Sequence, residues 1–254
     1  MRFASLGSGS EGNALVVESG GTRILVDCGF GLADTVARLA RLGVEAESID
    51  ALLVTHEHDD HVGGIGRFAR KFKTPVWLTY GTLQASAARM QGVANVQVFD
   101  CHQRFAVKDI EVEPYTVPHD AREPSQFVFG DGNVRLGLLT DAGSQTVHMR
   151  EVLHRLDAFV LECNHDPVLL QNSSYPETLK QRIGGRFGHL SNAAAGELLS
   201  VLDRSRLKHI VAAHLSQKNN RTELAVAALA TALVCEPDWI GVADQAEGFA
   251  WRDI

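Results

Sequence analysis

Three histidines and two aspartates crowd into one short segment, His56-Glu57-His58-Asp59-Asp60-His61, directly after the apolar run 51–54. The apolar run is typical of a buried strand, and a helix is predicted to begin near Val62. The strand end would direct the first histidines, and the helix start would turn Asp60 and His61 towards a second position. Imidazole and carboxylate groups together bind zinc, manganese or iron while leaving positions for water. A charge-rich surface loop is the simpler alternative, but the spacing after a strand favours a metal site that serves two ions.

Three polar residues farther along the chain also follow apparent strands. His119 follows residues 115–118, Asp141 follows residues 137–140 and His214 follows residues 210–213. Each of them alone is as well explained by a turn or a helix cap. Their common placement at strand ends favours the hypothesis that they complete the metal site.

The rest of the chain alternates apolar runs with turn residues. Strands predicted at 2–6, 14–18 and 23–27 form a β-meander with a turn at Gly20-Gly21, and a hairpin turn is predicted at 130–133. Further strands are predicted near 76–79, 96–99, 110–117, 126–129, 134–139, 158–162 and 209–213, with closing strands at 241–251. Helices are predicted at 32–42, after Gly81, at 192–202 and at 221–234. This pattern predicts a single α/β domain, of the α+β type, over residues 1–254.

Composition is that of an ordinary globular protein. The chain has 254 residues, of which 45% are hydrophobic and 22% are charged, a balance that supports a sizeable core. No stretch approaches the roughly 20 apolar residues of a membrane span, and the first residues lack the apolar core of a signal peptide. We therefore expect a cytoplasmic protein without a membrane partner. Four single cysteines predict buried thiols rather than disulfides or a zinc knuckle: Cys28, Cys101, Cys163 and Cys235.

The pattern His56-x-His58-x-Asp60-His61, followed by a separated histidine, aspartate and histidine, resembles the metallo-β-lactamase superfamily over nearly the whole chain. The resemblance implies a four-layer αβ/βα sandwich with a centre of two divalent metal ions. It also implies ligands in three groups: His56, His58 and His119 on one ion, Asp60, His61 and His214 on the other, and Asp141 bridging both. The aspartate at the bridging position differs from the antibiotic-hydrolysing members, where cysteine is common. It is similar to the glyoxalase II and phosphodiesterase or nuclease branches.

Other segments narrow the resemblance to one branch. Asp27 matches a superfamily pattern in which this aspartate lies beneath the metal loop, where it would orient the ligands. Four segments look like the YycJ (WalJ) family: Ser8-Gly9-Ser10-Glu11-Gly12-Asn13, Glu162-Cys163-Asn164-His165-Asp166, Gly188-His189-Leu190-Ser191-Asn192 and residues 214–220. That family is related to the PhnP-type cyclic phosphodiesterases, and its members are DNA exonucleases that act from the 5′ end with manganese. The resemblance therefore implies phosphodiester chemistry with DNA as the substrate.

Several residues in these segments are candidates for supporting the ligands or touching the substrate: Asn13, Glu162, His165 and Asn192. We favour support over a separate ion site for Glu162 and His165. The glycines at 7–12 spell GxGxxG, but a strand-like segment follows them where a dinucleotide site needs the start of a helix. A Rossmann site is therefore rejected. Cys163 has no Cys-His-Asn order around it, which favours a buried thiol over a nucleophile.

The expected reaction is attack on phosphorus by a hydroxide that two metal ions share, because a divalent ion lowers the pKa of bound water from about 15.7 towards 7. Asp60 or Asp141 would orient this hydroxide or take its proton. His189 is the candidate proton donor to the leaving oxygen, with a histidine in a helix-capping loop as a nearly equal alternative. These assignments predict a 5′-to-3′ DNA exonuclease.

Other functions stay open at this point. A small cyclic-nucleotide phosphodiesterase of the PhnP type and a thioester hydrolase like glyoxalase II would use the same ligands, whereas a flavodiiron-like redox protein would need a flavin domain for which this chain has no room. The formal charge of −7 argues weakly against a broad nucleic-acid-binding face, although bound cations would offset clustered acidic residues. The sequence leaves open the native metal, DNA against RNA, exonuclease against endonuclease, and the oligomeric state, a homodimer included.

Overall fold

Short apolar runs form fourteen strands in the computed structural model, which describes all residues, 1–254. In chain order the strands are β1 Arg2–Gly7, β2 Ala14–Ser19, β3 Thr22–Val26, β4 Ala51–Leu53, β5 Val76–Leu78, β6 Val96–Val98, β7 Phe105–Val107, β8 Ile110–Thr116, β9 Ser125–Gly130, β10 Arg135–Leu139, β11 Ala158–Glu162, β12 His209–Ala213, β13 Gly241–Val242 and β14 Phe249–Asp253. They make two seven-stranded sheets, with the orders β14-β1-β2-β3-β4-β5-β6 and β13-β12-β11-β10-β9-β8-β7.

Ten helices lie between the strands. They are α1 Leu32–Arg41, α2 Asp59–Val62, α3 Ile65–Phe72, α4 Tyr80–Ala85, α5 Ala87–Met90, α6 Val147–Val152, α7 Pro167–Gln171, α8 Glu177–Ile183, α9 Asn192–Val201 and α10 Thr222–Leu233. In four of them the side chain of the residue before the helix accepts a hydrogen bond from a backbone N–H group of the first turn. These capping residues are Thr79, Thr146, Asp166 and Ser191. No helix has both the length and the apolar character that a membrane span requires.

The two sheets pack face to face, and helices cover their outer faces. Successive residues of β3 show the layering, because Ile24 and Val26 belong to the core between the sheets whereas Leu25 belongs to the core beneath the outer helices. The alternation follows from the two-residue period of a strand. A third core lies between the second sheet and α6, α9 and α10. The predicted four-layer sandwich is confirmed.

Parallel strands bring distant residues to one edge of the sandwich. β10 pairs with β11 and β11 pairs with β12, all in parallel, so that Leu139 lies beside Leu161 and Leu161 beside Ala212. The residues that follow these strands therefore emerge together. In the first sheet β3 and β4 are also parallel, with Val26 beside Leu53, and their carboxyl ends face the same region.

Most of the predicted elements are present, and the differences have local causes. The β-meander and the hairpin that joins β9 to β10 are confirmed. One helix is expected to begin near Val62, but two are present. A separate four-residue helix, α2, begins at Asp59 and ends before α3 starts. The short β7 and the helices α7 and α8 were not predicted, since each is too short to show a periodic pattern.

The cysteines are all free thiols. Cys28, Cys101 and Cys163 are buried, as predicted, whereas Cys235 is half-buried. Burial raises the pKa of Cys28 to about 12, so this thiol stays protonated and unreactive at neutral pH.

Candidate metal site

Strands from both sheets end at a common polar site. His56 follows β4, His119 follows β8, Asp141 follows β10 and His214 follows β12. Since β10, β11 and β12 are parallel neighbours, Asp141 and His214 come together with Glu162, the last residue of β11. The strand ends thus assemble residues that are far apart in the sequence.

The first group of side chains is formed by His56, His58 and His119. His58 Nδ1 lies 3.0 Å from His56 Nε2 and 3.2 Å from His119 Nε2. His119 Nδ1 lies 3.0 Å from the carbonyl oxygen of Gly188 and donates to it, which leaves the lone pair of Nε2 directed at the other imidazoles. Nitrogens bound to one tetrahedral zinc ion lie roughly 3.3 Å apart, so the spacing of this group fits one cation.

The second group is formed by Asp60, His61 and His214. Asp60 Oδ2 lies 3.4 Å from His61 Nε2 and 3.4 Å from His214 Nε2. His61 donates its Nδ1 proton to Asp27 at 2.7 Å, and His214 donates its Nδ1 proton to Glu162 at 3.1 Å. In the neutral imidazoles the Nε2 lone pairs therefore face a carboxylate oxygen, an arrangement that requires a proton or a metal cation between them.

Asp141 lies between the two groups. Its Oδ2 lies 3.0 Å from His61 Nε2, and its Oδ1 lies 3.9 Å from His119 Nε2. The Asp141 side chain is buried, and its Oδ2 has no hydrogen-bond donor when the proton of His61 lies on Nδ1, facing Asp27. A buried carboxylate oxygen without a donor is costly unless a cation binds it. The residues present thus fit divalent metal binding.

The charges of the buried groups depend strongly on one another. Burial opposes the charged imidazole of His214, but Asp141 and Asp60 outweigh burial and raise its pKa to about 10. Burial lowers the pKa of His56, and the neighbouring His61 lowers it further. His56 is therefore neutral, as a metal ligand must be, whereas His214 holds a proton that a bound metal ion would displace.

Asp27, which the sequence predicts to orient the ligands, hydrogen-bonds His61, one of the candidate ligands. Besides His61, its carboxylate accepts hydrogen bonds from the backbone N–H and the hydroxyl of Thr55, each at 2.9 Å. Gly29 continues the same turn, and a Cβ there would lie 1.9 Å from the carbonyl oxygen of Asp60. This close approach allows only glycine beside the helix that carries Asp60 and His61.

Glu162 holds two histidines at once. Its Oε1 accepts from His189 Nδ1 at 2.9 Å and from His214 Nδ1 at 3.1 Å, while its Oε2 accepts from the backbone N–H groups of Ala142 and Leu190 at 3.0 Å. Burial acts to raise the pKa of Glu162, but His189 outweighs it and the pKa falls to about 2. Glu162 is thus an anion with four donors, and it fixes the orientation of both rings.

Of the other predicted supporting residues, one contacts the candidate ligands and two do not. Asn13 donates from Nδ2 to Asp60 Oδ2 at 3.2 Å and lies 3.2 Å from His61 Nε2, so it contacts the site directly. The side chain of Asn192 instead pairs with Asn220. His165 is buried with Nδ1 unpartnered and belongs to none of the ligand groups. The structure therefore brings Asn13 to the candidate ligands, whereas Asn192, at the start of α9, and His165, between β11 and α7, belong to none of the ligand groups.

Three of the seven non-glycine residues with positive φ lie at the site. Asp27, Asp141 and His214 adopt left-handed conformations, with φ of 59°, 54° and 55°. Such values are uncommon for residues other than glycine and cluster at functional sites. Each of the three directly follows the end of a strand or lies within two residues of it, so the strained turn directs the side chain into the site.

Sequence reasoning missed Thr55, the carbonyl oxygen of Gly188, and Asp120. The Thr55 hydroxyl lies 3.0 Å from His56 Nδ1, and its position directly before the motif is a signal that could have found it. Asp120 Oδ1 lies 3.5 Å from His119 Nε2 and follows that histidine in the chain. The contact with Gly188 joins residues far apart in the chain and leaves no local sequence signal.

Comparison with known proteins gives a consistent picture. A family model described as the metallo-beta-lactamase superfamily matches residues 7–159. The chain is 35% identical over 249 residues to an exodeoxyribonuclease YycJ of Bacillus anthracis, covering 97% of this chain and 94% of the relative. It is also 35% identical over 228 residues to an exodeoxyribonuclease WalJ of Streptococcus pneumoniae, covering 88% and 85%. Among solved structures, YhfI of Bacillus subtilis, a metallo-beta-lactamase fold protein, is similar with a TM-score of 0.76 at 17% identity over 99% of each chain.

Proposed function

This chain belongs to the metallo-β-lactamase superfamily, and we propose that it is a DNA exonuclease that removes nucleotides from the 5′ end with two divalent metal ions. The resemblance predicted from the motif is thereby confirmed, and the chain is a metal-dependent hydrolase. The choice of a phosphodiester in DNA, the direction of attack and the count of two ions are the proposed parts.

One observation carries the proposal, namely that the candidate ligands fall into two groups joined by a single carboxylate. The first group offers three imidazoles, the second offers two imidazoles and Asp60, and Asp141 reaches towards both. Two-metal sites of this kind serve in-line displacement at phosphorus. The identity with exodeoxyribonucleases over nearly the whole chain supports DNA as the substrate.

In this proposal His56, His58 and His119 would hold one ion, Asp60, His61 and His214 the other, and Asp141 both. When bound, such ions acidify water and neutralise the charge that builds on phosphoryl oxygens. Asp60 and Asp141 orient the attacking water through their carboxylate oxygens, and one of them accepts its proton. Asp27 and Glu162 keep the rings of His61 and His214 in place, so the site is preorganised before the substrate binds.

His189 is proposed to protonate the leaving oxygen. Its ring is partly exposed and lines the same cavity as Asp60 and Asp141, while its Nδ1 proton is held by Glu162. Burial acts to lower the pKa of His189, but Glu162 outweighs burial and raises it. Because Nδ1 is committed to Glu162, the other ring nitrogen is the one that can donate a proton to a substrate oxygen.

A panel of substrates tests the proposal. Metal-free protein reloaded with manganese or zinc would be incubated with 5′-phosphorylated single-stranded and double-stranded DNA, with bis(p-nitrophenyl) phosphate and with S-lactoylglutathione. We expect mononucleotides to be released progressively from the 5′ end of DNA when metal is present. Cleavage confined to the small diester would instead support a cyclic-nucleotide phosphodiesterase, and cleavage of the thioester alone would overturn the proposal.

A further inference from the structure

The candidate metal site opens into a cavity of 480 Å³ whose two sides differ in charge. The loops that carry the ligand candidates contribute acidic residues, among them Glu57, Asp59 and Asp120. Tyr175, Leu179, Arg182, Ile183 and Gly188 also line the cavity, and we name the segment that carries them, residues 175–188, the basic wall. Cavities of about 300–1,000 Å³ enclose small ligands, and a single nucleotide is of that size.

The basic wall carries a local positive charge on an acidic chain. It contains Lys180, Arg182 and Arg186 but one acidic residue, Glu177, whereas the whole chain has a formal charge of −7. Lysine and arginine attract nucleic acid by neutralising phosphates. A local excess of positive charge thus lies beside the candidate metal site.

Helix α8, within the basic wall, has no buried residue, so apolar packing does not explain its position. Polar contacts instead connect the basic wall to the residues around the candidate metal site. Arg182 Nε donates to Asp120 Oδ2 at 2.5 Å, and the Ser144 hydroxyl donates to the carbonyl oxygen of Arg186 at 3.0 Å. Gly143 lets the two segments meet, since a Cβ there would lie 2.4 Å from the backbone nitrogen of Gly188.

One face of α8 points into the cavity. Leu179, Arg182 and Ile183 line it, and they are spaced three and four residues apart, as neighbours on one helix face are. Tyr175, two residues before α8, lines the same cavity. The Lys218 ammonium lies 5.5 Å from the centre of the Tyr175 ring. The wall therefore presents an aromatic ring and one cation, Arg182, to the cavity, and the second cation, Lys218, lies beside the ring on the loop that follows β12.

We propose that Tyr175, Arg182 and Lys218 form a subsite for one unpaired nucleotide of the DNA substrate, in which Tyr175 stacks on the base and the two cations contact phosphates. The inference rests on the proposed function. Aromatic rings with nearby cations are the usual means of holding single-stranded nucleic acid, since a base stacks on the ring while the cations follow the backbone. A cavity of one-nucleotide size admits the end of a strand only after that end has left the duplex.

The test pairs a change in the protein with a change in the DNA. Binding of a fluorescent single-stranded oligonucleotide to metal-free protein would be measured by anisotropy, with either a normal or an abasic nucleotide at the end to be cleaved. We expect Tyr175→Ala to weaken binding of the normal oligonucleotide by about 5- to 150-fold and to change binding of the abasic one far less. Tyr175→Phe should bind normally, because the ring is kept.

Matched variants control for general effects. Tyr80 is exposed and does not line the cavity, so Tyr80→Ala should bind like the wild type. Lys218→Ala should lower the slope of log affinity against log salt by about 0.7, whereas Lys71→Ala, on the exposed face of α3, should not change it. Equal losses with normal and abasic DNA, or no loss in Tyr175→Ala, would overturn the subsite.

DNA cleavage by the wild type and by Tyr175→Ala distinguishes failure of the subsite from failure of the proposed function. If the reloaded wild type cleaves DNA and Tyr175→Ala has the same KM for it, the subsite is wrong and the exonuclease proposal stands. If the reloaded wild type cleaves no DNA, both are wrong. If the subsite is correct, the KM of Tyr175→Ala for DNA rises while its melting temperature stays that of the wild type.

Discussion

At the residue scale, Asp141 is the side chain on which the two groups of ligand candidates depend. It is buried, its backbone is held in a left-handed conformation, and one of its oxygens has no hydrogen-bond donor. A buried carboxylate in a left-handed conformation, with one oxygen that lacks a donor, is poorly explained by stability alone. Metal binding would explain both the left-handed backbone and the oxygen that lacks a donor.

We predict that Asp141→Ala lowers kcat/KM for phosphodiester cleavage by about 10³-fold or more and also lowers the bound metal per chain. Both would be measured on the same preparation, by steady-state kinetics and by inductively coupled plasma mass spectrometry. Asp238→Ala, an exposed aspartate in a short turn remote from the site, is the control. Retention of turnover and metal by Asp141→Ala would refute the assigned site.

A second prediction separates proton donation by His189 from metal binding. His189→Ala should lower kcat on DNA by about 10²- to 10³-fold while the bound metal is retained. The loss of kcat with bis(p-nitrophenyl) phosphate as the substrate should be much smaller, because p-nitrophenolate leaves without being protonated. Equal losses on both substrates would show that His189 does not act as the acid.

The sequence indicates which residues meet at the site better than it indicates their hydrogen-bond partners. The ligand candidates were found because each follows an apolar run, and strand ends converge whatever the details of packing. That Glu162 holds both His189 and His214 depends on the parallel register of β11 with β10 and β12, which no local pattern reveals. Asn192 is a candidate supporting residue through the family resemblance of its segment, and its side chain pairs with Asn220.

At the element scale, the hairpin between β9 and β10 shows how one side chain fastens a turn. Asp131 accepts hydrogen bonds from the backbone N–H groups of Asn133 and Val134 and from the Ser19 hydroxyl. Partial burial acts to raise the pKa of Asp131, but these donors outweigh it and lower the pKa to about 2. The folded state therefore favours the charged form of Asp131.

A carboxyl group whose pKa is lowered by folding stabilises the protein above its ordinary pKa and loses that effect as the pH falls towards 2. We expect Asp131→Asn to cost about 1 kcal/mol at neutral pH, a modest value because solvent screens charges at a turn. The difference from the wild type should shrink as the pH falls from about 4 to 2. Urea unfolding across this range measures it, and a difference independent of pH would contradict the account.

Elements with long apolar patterns were predictable, and short ones were not. The amphipathic helix α1 and the meander β1–β3 follow from residue spacing, as does the hairpin turn. Helix α2 has four residues and begins three residues before the predicted start, while α7 and α8 have five and seven residues, too few to show an apolar period. Such segments are positioned by tertiary contacts that the sequence does not display.

At the scale of the whole molecule, the site gathers negative charge at the edge where the sheets meet. Asp27, Asp60, Asp141 and Glu162 converge there, and a chain with a formal charge of −7 supplies little to offset them apart from the histidines. A cation that binds the folded chain and not the unfolded one stabilises the fold.

We therefore predict that metal-free protein gains stability when manganese or zinc is added. At a thousandfold excess of metal over its Kd the gain is about 4 kcal/mol, which corresponds to a rise in Tm of about 10 °C for a chain of this length. Circular dichroism melts with and without a chelator measure the rise. An equal rise in Asp141→Ala would place the stabilising ions elsewhere.

The most direct measurement is anomalous diffraction from crystals of the manganese-loaded protein. We predict two peaks, one bound by His56, His58 and His119 and the other by Asp60, His61 and His214, with Asp141 reaching both. No peak within reach of these side chains, or manganese bound only elsewhere on the chain, would contradict the proposed centre and the phosphodiester chemistry inferred from it.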